Sequence, residues 1–198
     1  MFDPEGPVLG VDPGVSRCGF GVVAREGGGR FRALAFGVIT TSPSDPMPER
    51  LVAVAAGLEA LVAEHRPSAL AVERVLFQSN ARTAMSVGQA NGLAQVAAAR
   101  VGVPVVEYSP NEVKLAVTGH GAAGKAQVQE MVARLLSLAE VPRPPDAADA
   151  LALALTHSWG GRLSAQGASP GGAAPALSRA IDAAIARDDA ARRKPVAR

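Results

Sequence analysis

Residues 8–23, VLGVDPGVSRCGFGVV, decide the fold class. Two apolar runs, Val8–Val11 and Gly19–Val23, flank a turn that contains Pro and Gly, a pattern typical of adjacent antiparallel strands. The first run ends at Asp12, which predicts a carboxylate at the end of a buried strand. Phe31–Thr40 is a third strand-like run. Because the connections are short, these three strands should form an antiparallel meander.

The chain then changes from a meander to alternating helices and strands. Met47–His65 carries apolar residues at helical spacing and is followed by a strand-like run, Ala69–Glu73. A second helix is expected over about residues 81–101, before another strand at Pro104–Tyr108. Such long crossovers predict parallel strands. The expected fold class is therefore α/β, with a five-stranded mixed sheet of three antiparallel and two parallel strands, flanked by helices on both faces.

The last third of the compact region is expected to be helical. Ser109 followed by Pro110 and Glu112 is a helix start with a capping box. The remaining helices are predicted from Pro110 to about Thr118, from Lys125 to about Leu138, and from Pro144 to Trp159, with a mobile loop at 119–124.

Length and charge predict one domain with a basic appendage. A chain of 198 residues suits a single domain with a sizeable core. Net charge is +2, but residues 160–198 hold seven Lys/Arg and three Asp, so residues 1–159 carry −2. We predict a compact domain over 1–159 and a flexible, basic, Ala/Gly/Pro-rich tail over 160–198. A weak tail helix through Leu177, Ile181 and Ile185 is the alternative.

The composition favours a cytoplasmic protein. No stretch approaches the roughly 18 uninterrupted apolar residues of a membrane span. The N-terminus lacks the basic and then apolar layout of a secretory signal, and Cys18 is the one cysteine. A reducing, cytoplasmic setting without a membrane association is expected.

Four carboxylates are the candidate functional residues. Asp12 and Glu73 each end an apolar strand, and Asp146 and Asp149 lie three apart at a helix start, hence on one helix face. If the first and fourth strands are neighbours, these side chains can meet at one sheet edge and bind hard divalent cations. Each also has a plain alternative, because Asp146 could cap its helix, Glu73 could end a surface strand, and Asp12-Pro-Gly could be an ordinary turn.

In combination, these motifs resemble those of the RuvC-type Holliday junction resolvases, crossover junction endodeoxyribonucleases of the ribonuclease H-like superfamily. The matching stretches are Gly10–Gly14, Ala71–Glu73 with residues 80–92, Val113-Lys114, Gly124–Val128 and Asp146–Ala152 with Thr156-His157. They occur in the family's order between residues 8 and 159 and leave out the tail.

The resemblance implies a structure-selective nuclease. Asp12, Glu73, Asp146 and Asp149 match the family's catalytic positions and would hold two Mg²⁺ ions, with Mn²⁺ as a substitute. Two such ions about 3.5–4 Å apart support in-line phosphodiester hydrolysis. The expected reaction is a pair of symmetric nicks in junction strands of like polarity, with 5′-phosphate and 3′-hydroxyl ends, in homologous recombination and DNA repair.

The resemblance also implies DNA contacts. Lys114 and Lys125 match junction-binding positions, with solvated surface lysines as the alternative. Arg74, Arg82 and His157 are weaker candidates, and His157 could instead pack or face solvent beside the last helix turn. Some relatives stack an aromatic residue on a junction base three residues after the catalytic glutamate, where this chain has Leu76. The adjacent Phe77 is the candidate wedge, unless it belongs to the core.

The implied partners are a four-way DNA junction, a second copy of the chain, and the branch-migration complex of RuvA and RuvB. The small residues of the helix over 81–101 could pack between protomers or against the sheet. Three other protein classes share some of these features. An actin-like kinase lacks its second phosphate motif here, a non-catalytic junction binder would have lost carboxylates, and another ribonuclease H-like nuclease is the runner-up.

Overall fold

The computed structural model describes residues 6–74 and 81–164. The strands in these ranges are β1 (Val8–Asp12), β2 (Arg17–Arg25), β3 (Phe31–Thr40), β4 (Ala69–Glu73) and β5 (Val105–Tyr108). The α-helices are α1 (Met47–His65), α2 (Ala81–Ala99), α3 (Pro110–Thr118), α4 (Lys125–Leu135) and α5 (Pro145–Ser164). Every predicted strand and helix of the compact region is therefore present.

The strands form one mixed sheet in the order β3-β2-β1-β4-β5. The pairs β1–β2 and β2–β3 are antiparallel, whereas β1–β4 and β4–β5 are parallel. The predicted α/β class and the predicted neighbourhood of the first and fourth strands are confirmed. This order places the ends of β1, β4 and β5 at one edge of the sheet.

Helices cover both faces of the sheet, as predicted. On one face, Val54 and Leu58 of α1 and Ala94 of α2 are fully buried against the strands. On the other face, the core contains Val117 of α3, Val132 of α4 and, from α5, Leu151 and Leu155. The strands are apolar on both sides because both sides are covered.

Helix α5 lies unusually close to the sheet. A Cβ on Gly10 would overlap the backbone carbonyl oxygen of Ala150, and a Cβ on Gly19 would overlap that of Asp146. The absence of side chains at these two strand positions lets the α5 backbone touch β1 and β2. The first turn of α5 is thereby fixed over the end of β1.

The structure corrects two predicted helix ends. Helix α4 stops at Leu135 rather than near Leu138, because Ser137 adopts a left-handed backbone with φ of 52°. Helix α5 continues to Ser164, beyond the predicted Trp159. The rest of the predicted tail, residues 165–198, lies outside the described residues. The described ranges contain no helix long and apolar enough to cross a membrane.

Candidate active site

Two of the four candidate carboxylates lie side by side at the end of the parallel strands. Val11 of β1 pairs with Val72 of β4, so that the next residues, Asp12 and Glu73, follow on adjacent strands. Both side chains are half-buried. The apolar strands that precede them hold these carboxylates at a defined edge of the sheet.

The other two carboxylates come from the first turns of α5. Asp146 lies in the first turn, where the helix dipole favours a negative charge, and Asp149 follows it by three residues. Contact between the Asp146 backbone and Gly19 on β2 keeps this turn against the sheet. The fold thus brings all four predicted acids to one place.

Electrostatics at Asp12 show how closely the carboxylates are gathered. Burial, and after it the charges of Asp149, Glu73 and Asp146, raise the pKa of Asp12 to about 7, against an opposing effect of Lys125. The pKa of Glu73 is also raised, first by burial and then by Asp149. The negative charge of the carboxylates at this edge of the sheet is therefore only partly neutralised by nearby cationic side chains.

Two cationic side chains pair with the α5 acids. Lys125 Nζ lies 2.6 Å from Asp149 Oδ2, and this hydrogen bond raises the pKa of Lys125. Arg17 Nε lies 3.5 Å from Asp146 Oδ2. The sequence interpretation missed Arg17, although alternation along β2 places it on the same side as Gly19 and Gly21, which contact α5.

The donor set fits hard divalent cations. Oxygen atoms of four carboxylates are the ligands that Mg²⁺ and Mn²⁺ prefer. Nevertheless, among the described residues no three His, Cys, Asp or Glu side chains are already arranged to hold an ion. The excess negative charge at Asp12 favours a cation, while Asp149 and Asp146 are turned toward Lys125 and Arg17. Before these two carboxylates can bind an ion, their side chains must turn away from Arg17 and Lys125 and toward Asp12.

A cavity of about 310 Å³ opens beside the carboxylates. Its polar lining comes from Glu73, Asp149, Lys114 and Lys125, which brings both predicted DNA-binding lysines to one opening. Its apolar lining comes from α3, from the loop that precedes α4, and from α4 and α5: Pro110, Val113, Ala123, Val128, Ala152 and Leu153. Such a combination can accept a ligand with both a charged and an apolar part.

The weaker candidates have different outcomes. The phenol of Tyr108 is 2.9 Å from Nδ1 of His157, and burial lowers the pKa of His157. His157 is therefore a packed partner of β5. The Arg74 backbone N–H donates to the Tyr108 carbonyl. Phe77 and the side chain of Arg82 lie outside the described residues, as does Leu76.

Comparison with known proteins gives concordant matches. Residues 8–157 match the family model described as "Crossover junction endodeoxyribonuclease RuvC". A protein of that name from Salinispora arenicola is 56% identical over 154 residues, 78% of this chain and 88% of the relative. One from Frankia alni is 53% identical over 180 residues, 91% of each. The structure of T. thermophilus RuvC in complex with Holliday junction substrate matches with a TM-score of 0.76 and 43% identity, over 80% of this chain and 96% of that chain.

Proposed function

The chain belongs to the RuvC family of crossover junction endodeoxyribonucleases and is a Holliday junction resolvase, and on this premise we propose which of its residues cut the DNA. The proposed catalytic residues are Asp12, Glu73, Asp146 and Asp149. One observation carries this assignment: the pKa of Asp12 is raised by burial and by all three other carboxylates. A charge cluster of this kind is costly for a fold and is typical of an active site.

The proposed cofactor is a pair of Mg²⁺ ions, with Mn²⁺ as a substitute. When bound, the ions would activate a water and stabilise the leaving oxygen of the scissile phosphodiester. Asp12 and Glu73 would hold them from the strand ends, and Asp146 and Asp149 from α5. The strands and α5 would hold the backbones of these four residues in place, so that only the side chains of Asp146 and Asp149 would have to move away from Arg17 and Lys125 when the ions bind.

The lysines are proposed to hold the DNA backbone. Lys114 and Lys125 lie at the opening of the cavity, next to Glu73 and Asp149. Their ammonium groups can neutralise phosphates that flank the scissile bond without selecting a sequence.

The attacking water adds to phosphorus, the bond to the 3′ oxygen breaks, and the products carry a 5′-phosphate and a 3′-hydroxyl. The apolar cavity wall would accommodate the sugar or base of a neighbouring nucleotide.

A homodimer is proposed because two strands of like polarity must be nicked symmetrically. Helix α2 supports this. Ala90 and Ala94 are fully buried in the protomer, whereas Gly88 and Gly92 have open space above their Cα atoms. One face of α2 thus packs against the sheet, and the opposite face is free to pack against a second protomer. Membership of the family also makes the RuvA and RuvB branch-migration complex the proposed cellular partner.

A cleavage assay tests the proposal directly. The protein is incubated with a synthetic four-way junction, a matched duplex and an RNA–DNA hybrid, each with Mg²⁺ or with EDTA. We expect paired symmetric nicks in the junction alone, and only with Mg²⁺. Cutting in EDTA would refute the metal mechanism, and preferential cutting of the hybrid would indicate another ribonuclease H-like nuclease.

A further inference from the structure

Arg17 is a charged residue at the carboxylate cluster with no role in the cleavage scheme above. It begins β2 and lies on the same side of the strand as Gly19, the residue that contacts the Asp146 backbone. Its Nε is 3.5 Å from Asp146 Oδ2, and 61% of its side chain is exposed. The guanidinium therefore lies between the cluster and solvent.

A buried arginine holds the segment that precedes Arg17. Only 9% of Arg50 on α1 is exposed, and its guanidinium donates to Ser16 Oγ at 2.6 Å and to Thr41 Oγ1 at 2.9 Å. The Thr41 hydroxyl in turn donates to the Val15 carbonyl at 2.7 Å. In the described part of the chain Arg50 forms no ion pair with a carboxylate. Its hydrogen bonds instead hold the loop between β1 and β2 in place. This loop in turn positions the residue that follows it, Arg17.

Both α5 carboxylates are thus engaged by protein cations. Lys125 pairs with Asp149, and Arg17 pairs with Asp146. An oxygen that faces an ammonium or guanidinium group does not face a metal ion, and a fixed positive charge close by repels a divalent ion. Cation binding and these two ion pairs are therefore in competition.

We propose that Arg17 is a displaceable counter-ion of the carboxylate cluster, which holds Asp146 in the cation-free protein and must release it when a divalent cation binds. The inference rests on the proposed function, because it takes Asp146 as a cation ligand. Arg17 acts here through Asp146 and is a positioning residue. Its presence weakens cation binding before DNA arrives.

Isothermal titration of the full chain with Mg²⁺, without DNA, measures this effect. Replacing the charge in R17Q should tighten Mg²⁺ binding about three- to tenfold, since an exposed unit charge acts on a divalent ion through a high dielectric. R17K keeps the charge and should bind Mg²⁺ with an affinity close to that of the unmodified chain. R32Q is the matched control, because Arg32 is also 61% exposed and pairs with Glu26 at 2.9 Å, away from the carboxylates.

The outcomes separate this inference from the proposed function. If R17Q binds Mg²⁺ as the unmodified chain and R32Q do, or more weakly, Arg17 does not compete and the proposal is wrong. The same conclusion follows if R17K tightens binding as much as R17Q. D146N tests the premise: it should lose Mg²⁺ affinity, and if it does not, the assignment of Asp146 as a ligand fails as well.

Discussion

Asp12 is the residue at which the cost of the carboxylate cluster is concentrated. Burial and three neighbouring acids raise its pKa from 3.8 to about 7. A carboxyl whose pKa is higher in the folded than in the unfolded state binds more protons in the folded state between those two values. The free energy of unfolding therefore falls as pH rises from about 4 to about 7.

The substitution Asp12→Asn tests this cost together with the proposed role. Asparagine keeps the size but not the charge, so cleavage should be lost while the free energy of unfolding at pH 8 in EDTA rises by about 1–3 kcal/mol. Near pH 4 the gain should vanish, because Asp12 is then protonated in the folded protein. Urea denaturation at the two pH values measures both. Equal stability of the two proteins at pH 8 would contradict the raised pKa.

Arg17 and Asp12 also differ in how well a sequence could identify them. A strand that ends in a carboxylate is a recognisable pattern, and it predicted Asp12 and Glu73. An arginine at the start of a strand usually faces solvent, and what makes Arg17 different is the distant Asp146, which only the folded chain brings near. The pairing of Tyr108 with His157, 49 positions apart, was hidden for the same reason.

At the scale of elements, α5 and the two strands beneath it form the part of the fold on which the site depends. The α5 backbone rests directly on Gly10 and Gly19. Any group added at this contact must push the helix away from the sheet. The carboxylates on α5 would then move away from those on the strands.

The substitution Gly10→Ala should therefore reduce both stability and activity. The new methyl overlaps backbone atoms of α5, and overpacking of this kind costs about 3 kcal/mol. A displacement of about 1 Å between catalytic groups lowers the rate about a hundredfold. Thermal unfolding and junction cleavage measure the two effects.

Gly27→Ala is the matched control, because a Cβ at Gly27 meets no atom within 4 Å. It should change the free energy of unfolding by less than about 0.5 kcal/mol. If Gly10→Ala behaved like Gly27→Ala, the close approach of α5 to β1 would not be what sets the geometry of the site.

Helix ends show what local sequence can and cannot predict. The start of α3 was predictable because Ser109 and Glu112 form a capping box through their own side chains. The end of α4 was not predictable, because the left-handed backbone position after it is occupied by Ser137 and not by glycine, the residue that usually indicates such a position. The end of α5 is also not predicted correctly, because the change to an Ala/Gly-rich composition near Gly160 indicates a helix boundary, whereas the helix continues to Ser164.

At the scale of the whole molecule, α2 is the surface through which two copies could be joined. Met85 is 68% exposed on this helix, and Val96 is also exposed, on the side where Gly88 and Gly92 leave open space. The glycines leave room for a second helix to approach closely, and the exposed apolar side chains beside them would lose contact with water in such a pair.

The substitution Met85→Glu should prevent this association. A charge on the joined surface would be desolvated, so the protein should sediment as a monomer at micromolar concentration and give single rather than paired nicks. Val52→Glu on α1 is the control, since Val52 is also 68% exposed. A dimer that persists in Met85→Glu but dissociates in Val52→Glu would place the interface on α1 instead.

If the four acids are the catalytic residues as proposed, their distribution along the chain determines when a newly synthesised copy can first cleave DNA. Asp12 and Glu73 belong to the early strands, but Asp146 and Asp149 belong to α5, the last helix in the described ranges. While α5 is still inside the ribosome, a nascent chain exposes only half of the acids. The same is true of a copy cut short by a premature stop or by proteolysis. On the proposed roles such a copy would not cleave DNA, so the late position of α5 in the chain would delay nuclease activity until the whole fold has been synthesised.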